Sequence, residues 1–155
     1  MLKLTKKADY GLMAMKHLAE HRDVCAQNVR EIAEAYRIPV PLLAKVLQQL
    51  ARAGLVRSQT GPSGGYLLAR DADAISAYEV VRAIEGPHFM ASCVTIQGKC
   101  EIADCCTIKV PLQKLNDNIR DLLMEMRISH LCEGPVPGRG AGPVQRVQEE
   151  LVTLQ

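Results

Sequence analysis

The chain has 155 residues, of which 48% are hydrophobic, and this suits one compact domain with a substantial apolar core. There is no tryptophan and Phe89 is the sole phenylalanine, so aliphatic side chains must fill that core. No apolar run approaches the roughly 20 residues that a membrane-spanning helix needs, and the first residues lack the apolar stretch of a signal peptide, so we expect a cytoplasmic protein.

Charge is distributed unevenly along the chain, although the net charge is only +2. Residues 1–70 carry 11 lysines and arginines against five acidic residues, whereas residues 71–155 carry eight against 12. A basic first half followed by an acidic second half indicates that the first half contacts a polyanion such as nucleic acid.

Three helices are predicted in the first third of the chain. Thr5 is a candidate N-cap for a helix that continues to about Glu20. Asn28 and Glu31 have capping-box spacing, which predicts a second helix from Val29 to about Tyr36. After a tight connection, a third helix is expected from Pro41 to about Ala53, with Gly54 ending it.

The third predicted helix has one apolar face and one polar face. Its apolar residues fall at helical spacing and predict a core face, Leu43, Val46, Leu47 and Leu50. Lys45, Gln48, Gln49 and Arg52 lie largely outside that stripe and are residue types that contact bases and phosphates. This pattern is typical of a helix-turn-helix, but a plain three-helix core with a solvated face would show it too.

A hairpin is predicted directly after the third helix. Residues 55–58 and 66–68 have strand character, and the segment Gln59–Gly65 between them is rich in glycine. A hairpin at this place favours a winged helix-turn-helix over an ordinary hairpin. Its glycines would let the backbone approach a phosphate or groove wall closely, and Arg57 and Arg70 flank it with charge.

The second half predicts two further helices and a tail. Ser76 and Glu79 form another capping box, opening a helix that ends before Gly86. From about Val110 a long helix carries apolar residues at spacings of three and four, Leu112, Leu115, Ile119, Leu122 and Met126. Such a seam predicts pairing with a second copy of the chain, although it could also pack on its own chain. Residues 133–143 have linker composition, followed by a short amphipathic pattern.

The fold class expected from these elements is mainly α with a small β wing: a winged helix-turn-helix joined to a long C-terminal dimerisation helix. Residues 1–70 would form the DNA-binding region. Residues 71–131 would hold a linker helix, a cysteine-rich loop and the dimerisation helix, and residues 132–155 a Gly/Pro-rich tail.

Four of the six cysteines, Cys93, Cys100, Cys105 and Cys106, fall within 14 residues between the last two predicted helices. Thiolates favour zinc, copper(I) and iron–sulfur clusters, and the spacing lacks the close cysteine pairs of most zinc sites. It therefore favours a loop around an iron–sulfur cluster, with zinc and free thiols as alternatives. Cys25 and Cys132 are expected to be small buried apolar residues.

No pattern in the sequence indicates catalysis, and we expect a protein that is not an enzyme. There is no phosphate-binding loop, nucleophile elbow or catalytic carboxylate pair. A thiol-redox enzyme that uses the adjacent Cys105 and Cys106 is the rival interpretation, but no C-x-x-C motif supports it.

Over residues 1–131 the chain resembles winged-helix regulators of the IscR, NsrR and SufR type. The resemblance rests on the segments 4–11 (LTKKADYG), 29–33 (VREIA), 38–47 (IPVPLLAKVL) and 61–68 (GPSGGYLL), followed by the cysteine loop and long helix. It implies a homodimeric bacterial transcription factor, usually a repressor, with a [2Fe–2S] or [4Fe–4S] cluster. The start of the chain is most similar to the subgroup that controls the assembly of such clusters, with nitric oxide or iron sensing as alternatives.

The resemblance also implies a ligand set for the cluster. Cys93, Cys100 and Cys106 match the three family cysteines, with Cys105 as the alternative to Cys106. Some relatives use a histidine three residues after the last cysteine, where this chain has Lys109. In others an acidic residue from the partner's first helix completes the site, and Asp9 lies at that position.

A palindromic double-stranded DNA operator is the expected partner, since dimeric readers suit two-fold sites. The candidate DNA-binding residues lie at the second helix, the third helix and the wing: Arg30, Pro41, Leu42, Lys45, Gln48, Gln49, Arg52, Arg57, Thr60, Gly61, Pro62, Ser63, Gly64, Gly65 and Tyr66.

Overall fold

A computed structural model describes residues 4–23, 25–86 and 106–132. Its helices are α1 (Lys6–Glu20), α2 (Val29–Tyr36), α3 (Val40–Arg52), α4 (Ala77–Glu85), α5 (Lys109–Glu125) and α6 (Ile128–Cys132). Two strands, β1 (Val56–Gln59) and β2 (Gly65–Leu68), form an antiparallel sheet, and a short 3₁₀ turn spans Ala72–Ala74. The predicted fold class, mainly helical with a small wing, is confirmed. Cys93, Cys100, Cys105 and the tail from residue 133 lie outside the described residues.

Helix starts follow the predicted capping residues closely. The Thr5 side chain accepts a hydrogen bond from the Ala8 amide, as expected for the N-cap of α1. Capping boxes at Asn28 with Glu31 and at Ser76 with Glu79 open α2 and α4. Each cap satisfies amides that would otherwise lack partners in the first turn, which is why short local patterns located these helix starts.

The α2–α3 turn and the end of α3 also depend on local backbone chemistry. Arg37 takes a left-handed conformation (φ 53°) to end α2, and α3 begins at Val40, one residue before the predicted start, so that Pro41 is its second residue. At the other end, Gly54 (φ +73°) donates to Ala51 O and Leu55 N donates to Leu50 O, both at 3.0 Å. This is a Schellman cap, which turns the chain directly into the wing.

The core lies between α1, α3 and α4 and is closed by α6. The four apolar residues predicted on α3 are completely buried, as are Met15, Ile75, Val80 and Ile128. Burying each of the larger side chains contributes about 1.5–3 kcal/mol. Because the core draws on both halves of the chain, the helices that carry the predicted DNA contacts are held by segments on either side of residues 87–105.

After α5 the chain returns to this core, which the sequence did not predict. Ala77 N donates to Met126 O at 2.8 Å, and Ile128 N donates to Ile75 O at 3.0 Å. The short α6 then packs against α1. Five residues are too few to show a helical period, so this element was missed.

Helix α5 differs from the others because none of its residues is buried. Its predicted seam includes Leu115 and Leu122, whose surfaces are 52% and 61% exposed. No helix in the described part of the chain is long and apolar enough to cross a membrane.

Candidate nucleic-acid interface

The outer face of α3 presents the predicted polar residues to solvent. Lys45, Gln48 and Arg52 are exposed, while Gln49 is half-buried. At the start of the helix, Pro41 is exposed and Leu42 half-buried. They adjoin a shallow groove of about 230 Å³, which is lined by Lys7, Leu42, Lys45, Val46, Gln48, Gln49 and Arg52. Lys7 comes from α1 and was not predicted for this surface; the Lys6–Lys7 pair was the available signal, but it did not show that α1 crosses beside α3.

The wing projects beyond β1 and β2 and ends in an exposed turn. Thr60, Gly61, Pro62 and Ser63 are exposed, whereas Gly64, Gly65 and Tyr66 are half-buried. Gly61 has φ +116°, a conformation that L side chains rarely adopt. Open space surrounds this position, since a Cβ built on Gly61 would meet no heavy atom within 4 Å.

Two wing glycines are needed for contacts within the protein. A Cβ on Gly64 would lie 2.6 Å from Gln59 O and 2.8 Å from Gly61 O, inside the turn itself. A Cβ on Gly65 would lie 2.5 Å from the Gln27 carbonyl carbon and 3.0 Å from Asn28 N. Close backbone packing within the fold therefore gives these two glycines a second role besides the predicted approach to DNA.

A second cleft, of about 560 Å³, lies at the base of the wing. Arg22, Arg57 and Arg70 line it together with apolar residues that include Leu18 and Leu67. Arg22 pairs with Asp71, and Arg70 pairs with Glu79 at 2.7 Å. Arg57 is a predicted DNA contact, and Arg22 joins it only because the end of α1 folds against β2.

The Arg70–Glu79 pair also anchors the wing base to α4. Burial opposes ionisation of Glu79, but hydrogen bonds from Ser76 and Arg70 outweigh it, so the pKa of this carboxyl is lowered. The Glu79 carboxylate thus serves the capping box and the ion pair together.

The cations on these surfaces fall into two groups. Within the described ranges, Arg22 and Arg70 have carboxylate partners, while five others have no ion pair: Lys7, Arg30, Lys45, Arg52 and Arg57. Unpaired surface cations attract a polyanion without first breaking an internal contact, and they release counterions when they bind DNA phosphates.

The described part of the predicted metal site consists of two residues. Cys106 is a half-buried free thiol three residues before α5, and Asp9 is exposed on the first turns of α1. Among the residues the structure describes, no group of three or more histidine, cysteine or acidic residues could hold a metal ion. The prediction that Cys25 is buried is wrong, since it lies exposed in the loop between α1 and α2; Cys132 is half-buried.

A three-helix core whose last helix presents polar residues and is followed by a hairpin defines a winged-helix DNA-binding regulator. The Rrf2 family of iron-dependent transcriptional regulators matches residues 4–134, so the chain belongs to the Rrf2 family. Since members of this family are transcriptional regulators, the prediction that the chain is not an enzyme is confirmed.

Individual relatives agree with this assignment. The chain is 31% identical over 130 residues to the transcriptional regulator IscR of Erwinia tasmaniensis, covering 84% of this chain and 78% of that one. It is also similar to the structure of CymR, the global cysteine regulator of B. subtilis (30% identity, TM-score 0.69, 85% of this chain and 97% of that chain). The structure of T. potens IscR is comparable (26% identity, TM-score 0.69, 94% and 96%).

Proposed function

We propose that this DNA-binding regulator is a homodimeric repressor that senses cellular iron–sulfur status through a cluster bound by Cys93, Cys100 and Cys106. Its targets would be the genes of iron–sulfur cluster assembly, with control by nitric oxide or iron as the alternative within the same family. The observation that carries the proposal is the spacing of these cysteines in a chain of a family described as iron-dependent.

The donor atoms available to such a cluster fit its chemistry. Thiolates bind iron–sulfur clusters, and Cys106 is a free, half-buried thiol at the entrance to α5. The proposed fourth ligand, Asp9 of the partner subunit, is a hard and easily displaced donor, and Asp9 of this chain is exposed and reachable. A cluster held in this way would supply a centre that oxidants, nitric oxide or iron shortage can remove.

Homodimer formation is supported by the surface of α5. In a single chain Leu115 and Leu122 of α5, and Met126 directly after it, are substantially exposed at seam spacing, which is unfavourable in water. Pairing of two α5 helices would cover this surface and place two winged helices on a two-fold operator.

The proposed domains would have different functions. Residues 1–70 would read DNA with α3 in the major groove and the wing beside it, using the candidate residues on those elements. Residues 71–131 would hold the cluster and the dimer seam, and contacts between α1, α4 and α6 would connect the two functions. Gain or loss of the cluster changes DNA affinity only insofar as the cluster favours one arrangement of these elements over another.

Anaerobic purification followed by a visible spectrum and by iron and sulfide analysis tests the cluster. We expect a brown protein with iron and sulfide in matched amounts. Cys93→Ala should abolish the colour, whereas Cys25→Ala, in the exposed loop after α1, should keep it. A holo spectrum that survives Cys93→Ala would refute the ligand assignment.

A regulator that responds through its thiols without a cluster is the second candidate. Its support is the similarity to a cysteine regulator and the exposure of Cys25. A colourless protein without metal, whose DNA affinity falls on mild thiol oxidation and recovers on reduction, would favour it. Zinc in a colourless protein would instead indicate a structural role for the cysteine loop.

A further inference from the structure

We propose that His17 is a positioning residue for DNA binding, which fixes the wing through Gln27. The inference rests on the proposed contact between wing and DNA, and it adds a residue on α1 that is not among the proposed DNA contacts. His17 is only 8% exposed and lies on the face of α1 turned toward α2 and the wing.

Both ring nitrogens of His17 have protein partners. Nε2 lies 3.3 Å from Gln27 Oε1, and Nδ1 lies 3.3 Å from the Tyr36 hydroxyl. The orientation of the Gln27 amide follows from its other contact, since Nε2 of Gln27 donates to Cys25 O at 2.9 Å. Gln27 Oε1 can only accept, so Nε2 of His17 carries the proton and Nδ1 accepts from Tyr36.

The backbone of Gln27 is in turn paired with the wing. Gln27 N donates to Tyr66 O at 3.0 Å, and Tyr66 N donates to Gln27 O at 2.9 Å. These two bonds make residue 27 a single-residue extension of the wing sheet, on the edge of β2 away from β1. A side chain that fixes Gln27 therefore fixes the position of the wing strand.

Gln27 also adjoins the start of α2. Asn28 caps that helix, and Arg30, a candidate DNA contact, donates its amide to the Asn28 side chain at 2.9 Å. Loss of the His17 contact would therefore loosen two proposed DNA-contacting segments together, the start of α2 and the wing.

The surroundings of His17 favour its neutral form. Burial lowers the pKa of the imidazole below its ordinary value of 6.5, and the hydrogen bond to Gln27 opposes this only in part. The ring stacks on His21 with centroids 4.1 Å apart, and His21 Nδ1 lies 2.8 Å from His17 O. The ionisable groups around the His17 ring come from three helices and a cap: Lys16 and Glu20 from α1, His21 from the C-cap of α1, Glu31 and Tyr36 from α2, and Cys132 from α6.

This lowered pKa gives the contact a pH signature. The docked wing binds fewer protons at His17 than an arrangement in which the ring is exposed. The contribution to DNA affinity is therefore complete above the ordinary imidazole pKa, and it declines as the pH falls below that value toward the lowered pKa.

Three variants of the full chain test the proposal on a duplex that the wild-type protein selects from a random-sequence pool. His17→Phe keeps a flat ring but removes both hydrogen bonds, and we expect its DNA affinity to fall about five- to tenfold at fixed salt. His17→Gln can still donate to Gln27 and should recover affinity to within about twofold. Tyr36→Phe removes only the other partner and serves as the matched control, with affinity close to wild type.

Amide hydrogen exchange supplies a readout that does not depend on DNA. In His17→Phe the Gln27 and Tyr66 amides should exchange faster, while the amide of Val81 in α4 keeps its wild-type protection. The decline of affinity at acidic pH should also flatten in this variant. A merely structural role in the core would move all amides together and would leave the shape of the pH profile unchanged.

Two results would overturn the proposal. The first is wild-type DNA affinity in His17→Phe with unchanged exchange at Gln27 and Tyr66. The second is loss of affinity that His17→Gln does not recover, which would assign the effect to ring packing. A failure of the iron–sulfur cluster proposal would not affect this test. A colourless protein and its His17 variants can still be compared in the DNA-affinity and hydrogen-exchange assays.

Discussion

Gly65→Ala is the sharpest test of how the wing is held. The structure leaves no room for a Cβ at this position, because Gly65 lies against the backbone of Gln27 and Asn28. Neither segment can yield by rotating a side chain, so the added methyl must separate β2 from residue 27.

The cost follows from the contacts that separation breaks. Gln27 and Tyr66 exchange two backbone hydrogen bonds, of 3.0 and 2.9 Å, and each contributes about 0.5–1.5 kcal/mol net. We therefore expect Gly65→Ala to lower the free energy of unfolding by about 1–3 kcal/mol. Gly54→Ala is the matched control: its Cβ meets nothing within 4 Å, and the positive φ alone costs about 1–2 kcal/mol.

Denaturant unfolding and DNA affinity at one salt concentration together separate the two variants. Both should be less stable, but only Gly65→Ala should also bind DNA more weakly, since only it displaces the wing. If Gly65→Ala matched wild type in stability, the close approach of β2 to residue 27 would be refuted. If both variants lost DNA affinity equally, the loss would reflect stability rather than wing position.

Three further predictions concern other parts of the molecule. Arg57→Ala should weaken DNA binding and reduce the slope of log affinity against log salt by about 0.9. The control is Arg120→Ala on α5, which should leave the slope unchanged because the Arg120 guanidinium pairs with Asp121 at 3.2 Å. Leu122→Asp should give a folded monomer in sedimentation analysis while Asn118→Asp stays dimeric, and a dimeric Leu122→Asp would contradict the α5 seam. The pKa of Glu79 is lowered in the folded protein, so its carboxylate contributes full stability at a pH above its ordinary pKa of 4.5. This contribution is lost as the pH falls through the lowered pKa. Glu79→Gln should flatten this part of the plot of melting temperature against pH, and an unchanged plot would contradict the role of the Glu79 carboxylate.

Local chemistry made most of the fold predictable. Capping boxes, the Gly54 helix end and the apolar stripe of α3 each depend on residues within a few positions of one another, and all were located from the sequence. Helix α3 begins one residue earlier than predicted. Pro39 O accepts hydrogen bonds from both Leu42 N and Leu43 N, so the proline before Val40 acts as the N-cap.

Long-range contacts were the part that the sequence did not reveal. Lys7 beside α3, Gln27 beside the wing and Ile128 in the core are brought to their places by chain segments distant in sequence, and no periodicity encodes such pairings. The exposure of Cys25 was also missed, because cysteine is usually buried and nothing in the local sequence indicated that this position between α1 and α2 is exposed. The proposed ligand and DNA-contact roles remain predictions.

The hydrogen bonds that join Ile75 and Ala77 to Met126 and Ile128 close residues 78–125 into a loop pinned at its base. The entropy of closing such a loop rises only slowly with its length. Insertions or deletions in its middle therefore change little for the core that presents α3 and the wing. Helix α4, at the start of this loop, buries Val80 and Val81 in that core, so the hydrogen bonds at the base hold α4 and α6 in the body that carries α3 whatever the length of the chain between them.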